Sequence, residues 1–395
     1  MYSRQSFRHL STTAICCFYE AYPPASGAAS VSYNLAKFFP GDSLLVQLGR
    51  RDQKFVTTDG VHIVTLAGAT ESRRERLTRL PRLIRRMLAE IAKANSPVII
   101  LEGASWAIYH WLLSLRLRRT APQRKIIYHS HNVEYLLRVQ RHGQAVARFT
   151  LWAEGRLLRQ ADLATAVSEV DRDHFARLYG VRPVLLPNGV DIERFAHPDL
   201  DAVNRMKNLY RLDRQTLVFS GFYAYPPNRE AIDFLVRSVM PALRKRCPFA
   251  TLALTGEGVP YQEPWIRNVG SIEYRDFAAF IKGCGIAVAP IFTGSGTRLK
   301  ILEAMAAGIP VVATQKAAEG LSLIHGEDVL FARDTLEFVN SLTRLLDNPE
   351  LAAALRDRAR LTVARFSWKR LIRDVEPSIF TNELKPQLEA ALAHA

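Results

Sequence analysis

Short apolar runs, many of them β-branched, alternate with helical segments along nearly the whole of this chain. Most runs are almost continuous, which is typical of strands buried on both faces, and the intervening helices favour parallel, doubly wound sheets. The predicted strands span residues 12–18, 43–49, 61–66, 97–101, 125–131, 162–168 and 184–187, then 216–222, 250–256, 266–270, 285–291, 309–314 and 328–332. Two such sets predict two Rossmann-like domains.

The length of 395 residues also favours two domains, because one hydrophobic core seldom serves so long a chain. A turn-rich stretch around Asn188 and Gly189 precedes a polar segment that is poor in strands. We therefore predict an N-terminal domain over 1–190 and a C-terminal domain over 191–370. Residues 371–395 are expected to form a helical tail that can pack back on the first domain.

The positive charge of the chain is concentrated in its first half. Residues 1–190 hold 27 Lys and Arg against 14 Asp and Glu, whereas the remainder holds 26 against 24. Two segments, 73–93 and 106–125, combine basic and apolar side chains in helical patterns suited to an anionic membrane surface. Packing of their apolar residues on the core, with solvated arginines, is the alternative. We disfavour nucleic acid as a partner, because no DNA-reading motif or stacking platform accompanies the charge.

Cysteine use and hydropathy bear on the location of the protein. The four cysteines have no C-x-x-C spacing that would indicate a zinc or redox site. The sequence contains neither a run of ~18 apolar residues nor a signal-peptide pattern. We therefore expect a cytoplasmic protein, with peripheral attachment to the inner face of the membrane through the basic domain.

The strongest local signal is the segment 291–312, which reads as a strand end, a glycine loop, a helix and a further strand. Gly294 and Gly296 allow the loop backbone to approach a ligand closely. Arg298 and Lys300 follow in the first helical turn, where the helix dipole disfavours cations unless an anion is bound. We therefore predict a diphosphate site. The alternative is an ion pair between Lys300 and Glu303, with Arg298 solvated.

Single glycines and one histidine stand near other strand ends. Gly221, Gly256 and Gly270 follow strands of the second half, where ligands of parallel sheets bind. In the first half, Gly27 begins a helix and His131 ends a strand, where its imidazole can bind a sugar hydroxyl. Taken singly, both of these residues have an ordinary structural explanation.

Several motifs together resemble the GT-B glycosyltransferases of family 4. Between residues 166 and 191 the chain reads A-V-S-E-V-D-R-D-H-F and then P-N-G-V-D, and from residue 220 it reads S-G-F-Y-A-Y-P-P-N-R-E-A. V-G-S-I-E, G-S-G-T-R-L-K-I-L-E-A-M-A-A-G-I-P-V-V-A-T and E-G-L follow in family order. The resemblance implies an α/β GT-B fold, in which two Rossmann-like domains face a central cleft. It also implies retaining transfer from a nucleotide-sugar donor to a polysaccharide or lipid-linked acceptor hydroxyl.

The resemblance assigns roles to individual residues. Glu303 matches the glutamate that grips the nucleotide ribose, whereas the family's other glutamate, eight positions earlier, is replaced by Ser295. Arg298 and Lys300 take the place of the cations that bind the diphosphate, beside the loop residues Gly294, Ser295, Gly296 and Thr297. His131 matches a histidine near the reacting sugar, and Gly27 matches a glycine near the phosphates. The two cations and the loop amides would stabilise the charge on the leaving diphosphate, so no metal or other cofactor is expected. The resemblance also implies that a phosphate oxygen receives the acceptor's proton.

Three alternatives remain at this point. A metal-dependent transferase would need a D-x-D motif, but Asp171 and Asp173 lie at a predicted helix start, and Asp199 and Asp201 lie in a polar connection. A nucleotide-sugar epimerase of the same two-domain plan would turn over its nucleotide sugar without an acceptor. A non-catalytic subunit that binds nucleotide or membrane is compatible with Ser295 in place of glutamate.

Overall fold

The computed structural model describes residues 13–68, 73–103, 107–141, 143–294 and 299–380. The chain divides into two compact units. Unit 1 contains the residues up to Pro187 together with those from Trp368 onward, and unit 2 spans Asn188–Ser367. The chain leaves unit 1 after residue 187, three residues before the predicted boundary at 190. It returns to unit 1 at residue 368, whereas the predicted tail begins at 371.

Unit 1 is built on one sheet. Its strands in the described ranges are β1 (Thr13–Cys16), β2 (Ser43–Gly49), β3 (Gln53–Val56), β4 (His62–Ala67), β5 (Val98–Glu102), β6 (Lys125–Ser130), β7 (Leu163–Ala166) and β8 (Val184–Leu185). They lie in the order β3-β4-β2-β1-β5-β6-β7-β8, with β1 in parallel register with both β2 and β5. All residues of β1, β2 and β5 are buried, as expected for strands covered on both faces.

Strand β3 is not among the strands predicted from the sequence. It pairs antiparallel with β4 at the edge of the sheet, and three of its four residues are exposed. Its sequence, Q-K-F-V, therefore lacks the apolar run by which the other strands were recognised. A mostly exposed edge strand needs no such run, and a charged residue at the edge discourages pairing with other chains.

Seven helices accompany this sheet in the part of the chain that is described. They are α1 (Gly27–Phe38), α2 (Arg73–Ala94), α3 (Ala107–Thr120), α4 (Glu134–Arg141), α5 (Gln144–Gln160), α6 (Glu169–Tyr179) and α15 (Trp368–Phe380). Helix α3 packs between α2 and α5, and α15 packs against α1. Trp368 at the start of α15 is fully buried, so this late segment belongs to the core of unit 1.

Helix α2 confirms the predicted basic amphipathic segment and continues through Pro81. It buries Leu80, Leu83, Ile84, Met87 and Ile91 at helical spacing. Each of these side chains contributes roughly 1.5–3 kcal/mol by leaving water, so the apolar face of α2 is part of the core. Its arginines at 79, 82 and 85 are exposed.

Two predicted surface cations of the 106–125 segment are buried or half-buried instead. The Arg118 guanidinium lies 2.6 Å from the Asp162 carboxylate and donates to the carbonyl of Gln160. Arg124 is 9% exposed and donates to the carbonyl of Ile91. Both arginines therefore join elements of unit 1, because they satisfy carbonyl groups that would otherwise lack partners.

Unit 2 contains a second, fully parallel sheet. Its described strands are β9 (Thr216–Ser220), β10 (Thr251–Thr255), β11 (Ile266–Gly270), β12 (Ile286–Ala289), β13 (Val311–Ala313) and β14 (Leu330–Phe331), in the order β11-β10-β9-β12-β13-β14. Its described helices are α7 (Ile192–Ala196), α8 (Leu200–Tyr210), α9 (Pro226–Phe234), α10 (Met240–Arg246), α11 (Tyr274–Gly283), α12 (Leu299–Ala307), α13 (Thr335–Asp347) and α14 (Pro349–Val363). The order of the strands in the sheet changes direction at β9. Open parallel sheets bind ligands at such a switch point.

Among the described helices, none combines the length and the apolar character that a membrane-crossing segment needs.

Candidate active site

Three glycines predicted from the sequence meet at the carboxyl edge of the unit 2 sheet. Gly221, Gly256 and Gly270 end or follow the neighbouring strands β9, β10 and β11. The Gly256 amide donates to the carbonyl of Gly270 at 2.8 Å, and the Gly221 amide donates to Thr255 at 3.1 Å. The sheet therefore brings these separate turns into one surface.

Gly256 is required at its position by both conformation and space. Its φ of +105° is rarely adopted by residues with a side chain. A Cβ atom there would lie 2.5 Å from the carbonyl oxygen of Gly221. Two strand ends thus approach each other closely, which leaves their backbone exposed to a ligand instead of covered by side chains.

Lys300 lies beside this surface, in the first turn of α12. Its ammonium group donates to Asn228 Oδ1 at 3.1 Å and stands 3.8 Å from the centroid of the Phe219 ring. Asn228, at the start of α9, also donates through Nδ2 to the carbonyl of Phe222. The Lys300 ammonium is therefore held close to the end of β9 by a neutral amide and an aromatic face.

Glu303, one turn further along α12, is half-buried. Burial raises its pKa to about 7, although the positive charges of Arg194 and Lys300 act in the opposite direction. Arg194 comes from α7, stacks 3.6 Å from the centroid of the Tyr274 ring and donates to the Tyr274 carbonyl. The carboxyl group therefore changes charge near neutral pH, which is useful for a group that binds hydroxyls.

The predicted phosphate loop is only partly described. Gly294 has a φ of +92°, which residues with a side chain rarely adopt, and its predicted close approach to a ligand stays a prediction. The predicted site residues Ser295, Gly296, Thr297 and Arg298 lie outside the described residues. The part of the predicted diphosphate site that can be located therefore consists of Gly294, Lys300 and the strand-end glycines.

His131 in unit 1 forms a close pair with a buried carboxylate. It directly follows β6, and its Nε2 lies 2.5 Å from Oε1 of Glu102, the last residue of the neighbouring strand β5. Glu102 is 0% exposed and His131 is 9% exposed in its side chain. Parallel pairing of the two strands brings both groups to the carboxyl edge of the sheet.

The charge state of Glu102 fixes the tautomer of His131. Burial opposes ionisation, but His131 and His129 hold the Glu102 pKa below its ordinary value. An ionised carboxylate only accepts hydrogen bonds, so His131 must carry a proton on Nε2. In the neutral imidazole, Nδ1 is then the acceptor, available to receive a hydrogen bond from a hydroxyl group.

Two other histidines near Glu102 are neutral. Burial lowers the pKa of both His129 and His110 to about 4, despite the opposing charge of Glu102. His129 Nδ1 lies 2.7 Å from Thr165 Oγ1. Only His131, of these three, is both paired with the carboxylate and partly exposed.

Gly27 is the first residue of α1, immediately after its N-cap Ser26, whose side chain accepts from the Ala29 amide. Helix α1 follows β1, which lies next to β5 in the sheet. The first helical turn therefore begins at the same edge as Glu102 and His131. The predicted role of Gly27 near the phosphates stays a prediction.

Three side chains at the end of the unit 1 sheet lie close enough together to hold a metal ion. Within the described ranges, Glu102, His129 and His131 offer ligand atoms that all lie within 4.8 Å of one another. The direct contact between Glu102 and His131 is that of a hydrogen-bonded pair. The D-x-D sequence of Asp171 and Asp173 lies at a helix start, as predicted, with Ser168 capping α6 at the Asp171 amide. The other one was predicted in a polar connection, but Asp199 instead caps α8. The expectation that no metal takes part stays a prediction.

Three contributors were not assigned a role from the sequence: Glu102, Arg194 and Asn228. Glu102 does carry a signal, since it is an acidic residue at the end of an otherwise apolar strand. Asn228 lies inside the S-G-F-Y-A-Y-P-P-N-R-E-A segment, but nothing in the pattern indicates that it contacts Lys300. Arg194 follows a turn and gives no sequence signal of its contact with the α12 region.

Two family models match the chain. The one described as "Glycosyltransferase Family 4" matches residues 25–194, and the one described as "Glycosyl transferases group 1" matches residues 214–348. A relative from Mycolicibacterium smegmatis, a "GDP-mannose-dependent alpha-(1-6)-phosphatidylinositol monomannoside mannosyltransferase", is 31% identical over 261 residues. That match covers 60% of this chain and 65% of the relative, which is just under two thirds of its length.

Solved structures share the fold at low sequence identity. Sucrose-phosphate synthase from Thermosynechococcus elongatus superposes with a TM-score of 0.70 at 19% identity and covers 96% of this chain and 100% of its own. Anabaena HepE in complex with UDP and glucose superposes with a TM-score of 0.69 at 15% identity, covering 93% and 99% respectively. The two parallel-sheet units therefore have the GT-B fold predicted from the sequence.

Proposed function

The chain belongs to glycosyltransferase family 4, and from this premise we propose that it transfers a sugar from a nucleotide-sugar donor to an acceptor hydroxyl with retention of configuration. The observation that carries the proposal is the convergence, in unit 2, of three strand-end glycines with Lys300 and Glu303. Exposed backbone beside a cation suits a diphosphate, and a carboxylate one helical turn away suits a ribose.

Charge separation explains what these groups contribute to the reaction. When the bond between sugar and diphosphate breaks, negative charge builds up on the leaving phosphate. Lys300 is fixed by Asn228 and Phe219 before the reaction, so it can stabilise that charge with little reorganisation. His131, oriented by Glu102, can accept a hydrogen bond from a sugar hydroxyl through Nδ1. We propose that a phosphate oxygen takes the acceptor's proton and that no metal takes part.

The name of the relative from Mycolicibacterium smegmatis suggests which donor and acceptor to test first. It gives GDP-mannose as the donor and a phosphatidylinositol monomannoside as the acceptor of that protein. We therefore propose a purine or pyrimidine nucleoside diphosphate sugar, with GDP-mannose the first to test, and a glycan or lipid-linked acceptor. Ser295 in place of the family's glutamate leaves the choice of sugar open.

The first test is a screen of GDP-, UDP- and ADP-sugars for an increase in melting temperature, followed by product analysis with lipid-linked acceptors. One donor should stabilise the protein, because ligands that bind the folded state raise its stability. The shift should grow as the pH rises from about 6 to 8, since Glu303 must lose its proton to accept from both ribose hydroxyls. Turnover without acceptor into an isomeric nucleotide sugar would indicate an epimerase, and binding without turnover a non-catalytic subunit.

We further propose that unit 1 attaches peripherally to an anionic membrane, and that α5 makes the contact. Its solvent-exposed side chains include three arginines and two large aromatics: Arg148, Phe149, Trp152, Arg156 and Arg159. Phe149 and Trp152 stack on each other and are each 43% exposed, and the Arg156 guanidinium lies 5.6 Å from the Trp152 ring centroid. Aromatic rings beside arginines are typical of helices at a membrane interface.

The charges on α5 are less compensated than those on α2. On α2, Arg86 pairs with Asp52, Lys93 pairs with Glu90, and Arg79 pairs with Glu75. Among the described residues, the three exposed arginines of α5 form no ion pair. Partial burial and the neighbouring Arg156 hold the pKa of Arg159 below its ordinary value, as expected for like charges without a counter-ion.

Sedimentation with vesicles tests this attachment. On vesicles with about 30 mol% phosphatidylglycerol at low salt, Phe149→Ala/Trp152→Ala should bind at least about tenfold more weakly than wild type. The matched control is Phe249→Ala, which removes a 78% exposed aromatic side chain from unit 2 and should bind normally. Equal binding by all three proteins would contradict the role of α5.

A further inference from the structure

A cavity of about 510 Å³ lies at the amino edge of the unit 2 sheet, opposite the edge that carries Lys300. It is lined by the residues that precede β9, β12 and β13, including Arg214, Gly285 and Ile309. The proposed reaction makes no use of this edge, because ligands of parallel sheets bind at the carboxyl ends of the strands. The cavity is nevertheless large enough for a small organic ligand.

Basic side chains dominate the lining. Five cations reach the cavity from four parts of unit 2: Lys207, Arg214, Lys282, Arg356 and Arg360. The single acidic residue of the lining, Asp213, uses its carboxylate to accept from the Gln215 amide and the Thr216 hydroxyl. The Asp213 carboxylate therefore takes part in the hydrogen bonds of its own turn, at the rim of the cavity.

These cations have few counter-ions. Arg356 and Arg360 approach Asp357 only at 3.8 and 4.0 Å, and that carboxylate is 69% exposed, so the attraction is strongly screened. Lys207 and Arg214 form no ion pair with any residue that the structure describes. Burial and the positive charges of Arg360 and Arg356 hold the pKa of Lys282 below its ordinary value. The five cations therefore repel one another.

The partial negative charges of helix ends offset part of the positive charge of the five cations, but not all of it. Helices α11, α12 and α13 end at the cavity, and Lys282 donates to the Ala307 carbonyl at the end of α12 at 2.6 Å. Each helix end carries about −0.5 charge. With these three ends, Asp213 and the exposed, screened carboxylate of Asp357 taken into account, roughly two positive charges remain. A dianionic phosphoryl group would neutralise them.

Steric features hold one arginine in place. The guanidinium of Arg360 lies against the backbone of Gly308, where a Cβ atom would be 2.7 Å from its Nη2. Gly308 has a φ of +71° and follows α12, so this contact is part of the helix termination. Gly308 thus leaves room for the Arg360 guanidinium beside the end of α12.

From the cavity, its five cations and its excess of about two charges, we propose that this edge of unit 2 is a binding site for a small phosphomonoester, such as a phosphorylated sugar. The phosphoryl group lies among Arg356, Arg360 and Lys282, and the remaining volume receives the organic part. This site is independent of the donor site and of the proposed reaction.

Isothermal titration at low salt with ribose 5-phosphate, inorganic phosphate and unphosphorylated ribose tests the proposal. Wild type should bind both phosphates, with the ester tighter, and should not bind ribose. Arg356→Gln/Arg360→Gln should weaken binding by about tenfold or more, because each arginine supplies charge-assisted hydrogen bonds. Both arginines are partly exposed, so the variant is expected to fold, which its melting temperature verifies.

Two controls separate this site from other phosphate contacts. Arg358→Gln removes a cation from the same helix, but Arg358 pairs with Glu327 and does not line the cavity, so binding should be unchanged. In Lys300→Ala, the binding event that the double variant loses should persist, since Lys300 lies at the donor edge. Loss of binding in Lys300→Ala with retention in the double variant would overturn the proposal, as would absence of binding to wild type or equal binding of ribose.

Discussion

Replacing Lys300 by alanine should lower the rate of sugar transfer by about 10²–10³-fold, the loss typical when one preorganised group that stabilises developing charge is removed. The folded state should be nearly unaffected. The variant loses the 3.1 Å hydrogen bond to Asn228, worth about 1 kcal/mol, but it also removes a cation from the first turn of α12, where the helix dipole costs about 0.3–1 kcal/mol.

Lys316→Ala is the matched control, because Lys316 lies in the same unit and pairs on the surface with Glu319. It should keep full activity. Donor hydrolysis in the absence of acceptor, measured for both variants, separates catalysis from binding alone. Wild type and Lys316→Ala should hydrolyse the donor slowly, and Lys300→Ala should not. Full transfer activity in Lys300→Ala would remove the basis for the diphosphate assignment.

Replacing Glu102 by glutamine should lower the turnover number by about 10²-fold, while the KM for the donor changes little. The amide keeps the shape of the side chain and can still accept from His131, but the negative charge that favours the Nε2-protonated imidazole is lost. Glu102 acts through His131 and is therefore a positioning residue. The pH profile of turnover should shift, which a purely structural role would not cause.

Glu154→Gln is the control for this second variant. Glu154 is also a fully buried glutamate of unit 1, but its carboxylate accepts from Tyr179 and from the Glu134 amide, away from His131. It should keep a normal turnover number even if its melting temperature falls. Equal losses of turnover in both variants would attribute the effect of Glu102 to folding rather than to the pair with His131.

Most strands of both sheets were predictable because each is a nearly continuous apolar run. Strand β3 was not, since an exposed edge strand leaves no such pattern. Arg118 and Arg124 were misplaced for a related reason: an arginine that satisfies buried carbonyls looks the same in a sequence as one in water. Periodicity reports which face of an element is apolar, not which cations find partners.

The candidate site was predictable where glycine or a helix start carried the signal. Gly221, Gly256 and Gly270 were assigned to one edge because parallel strands end together, and the structure brings them into contact. The pair of Glu102 and His131 depends on the neighbouring placement of β5 and β6, and the approach of Arg194 depends on the packing of α7 on α12. Such contacts between distant segments are set by topology, which residue spacing does not encode.

The return of α15 to unit 1 has a consequence for how the protein is made. Residues 188–367 form unit 2 without interruption, whereas unit 1 needs Trp368, Ile372 and Val375 to complete its core beside α1. On the ribosome, the second unit can therefore finish folding while the first still waits for its last helix. Until residues 368–380 emerge, the nascent first unit leaves uncovered the apolar surface that α15 later buries, and such surface is prone to aggregation during synthesis.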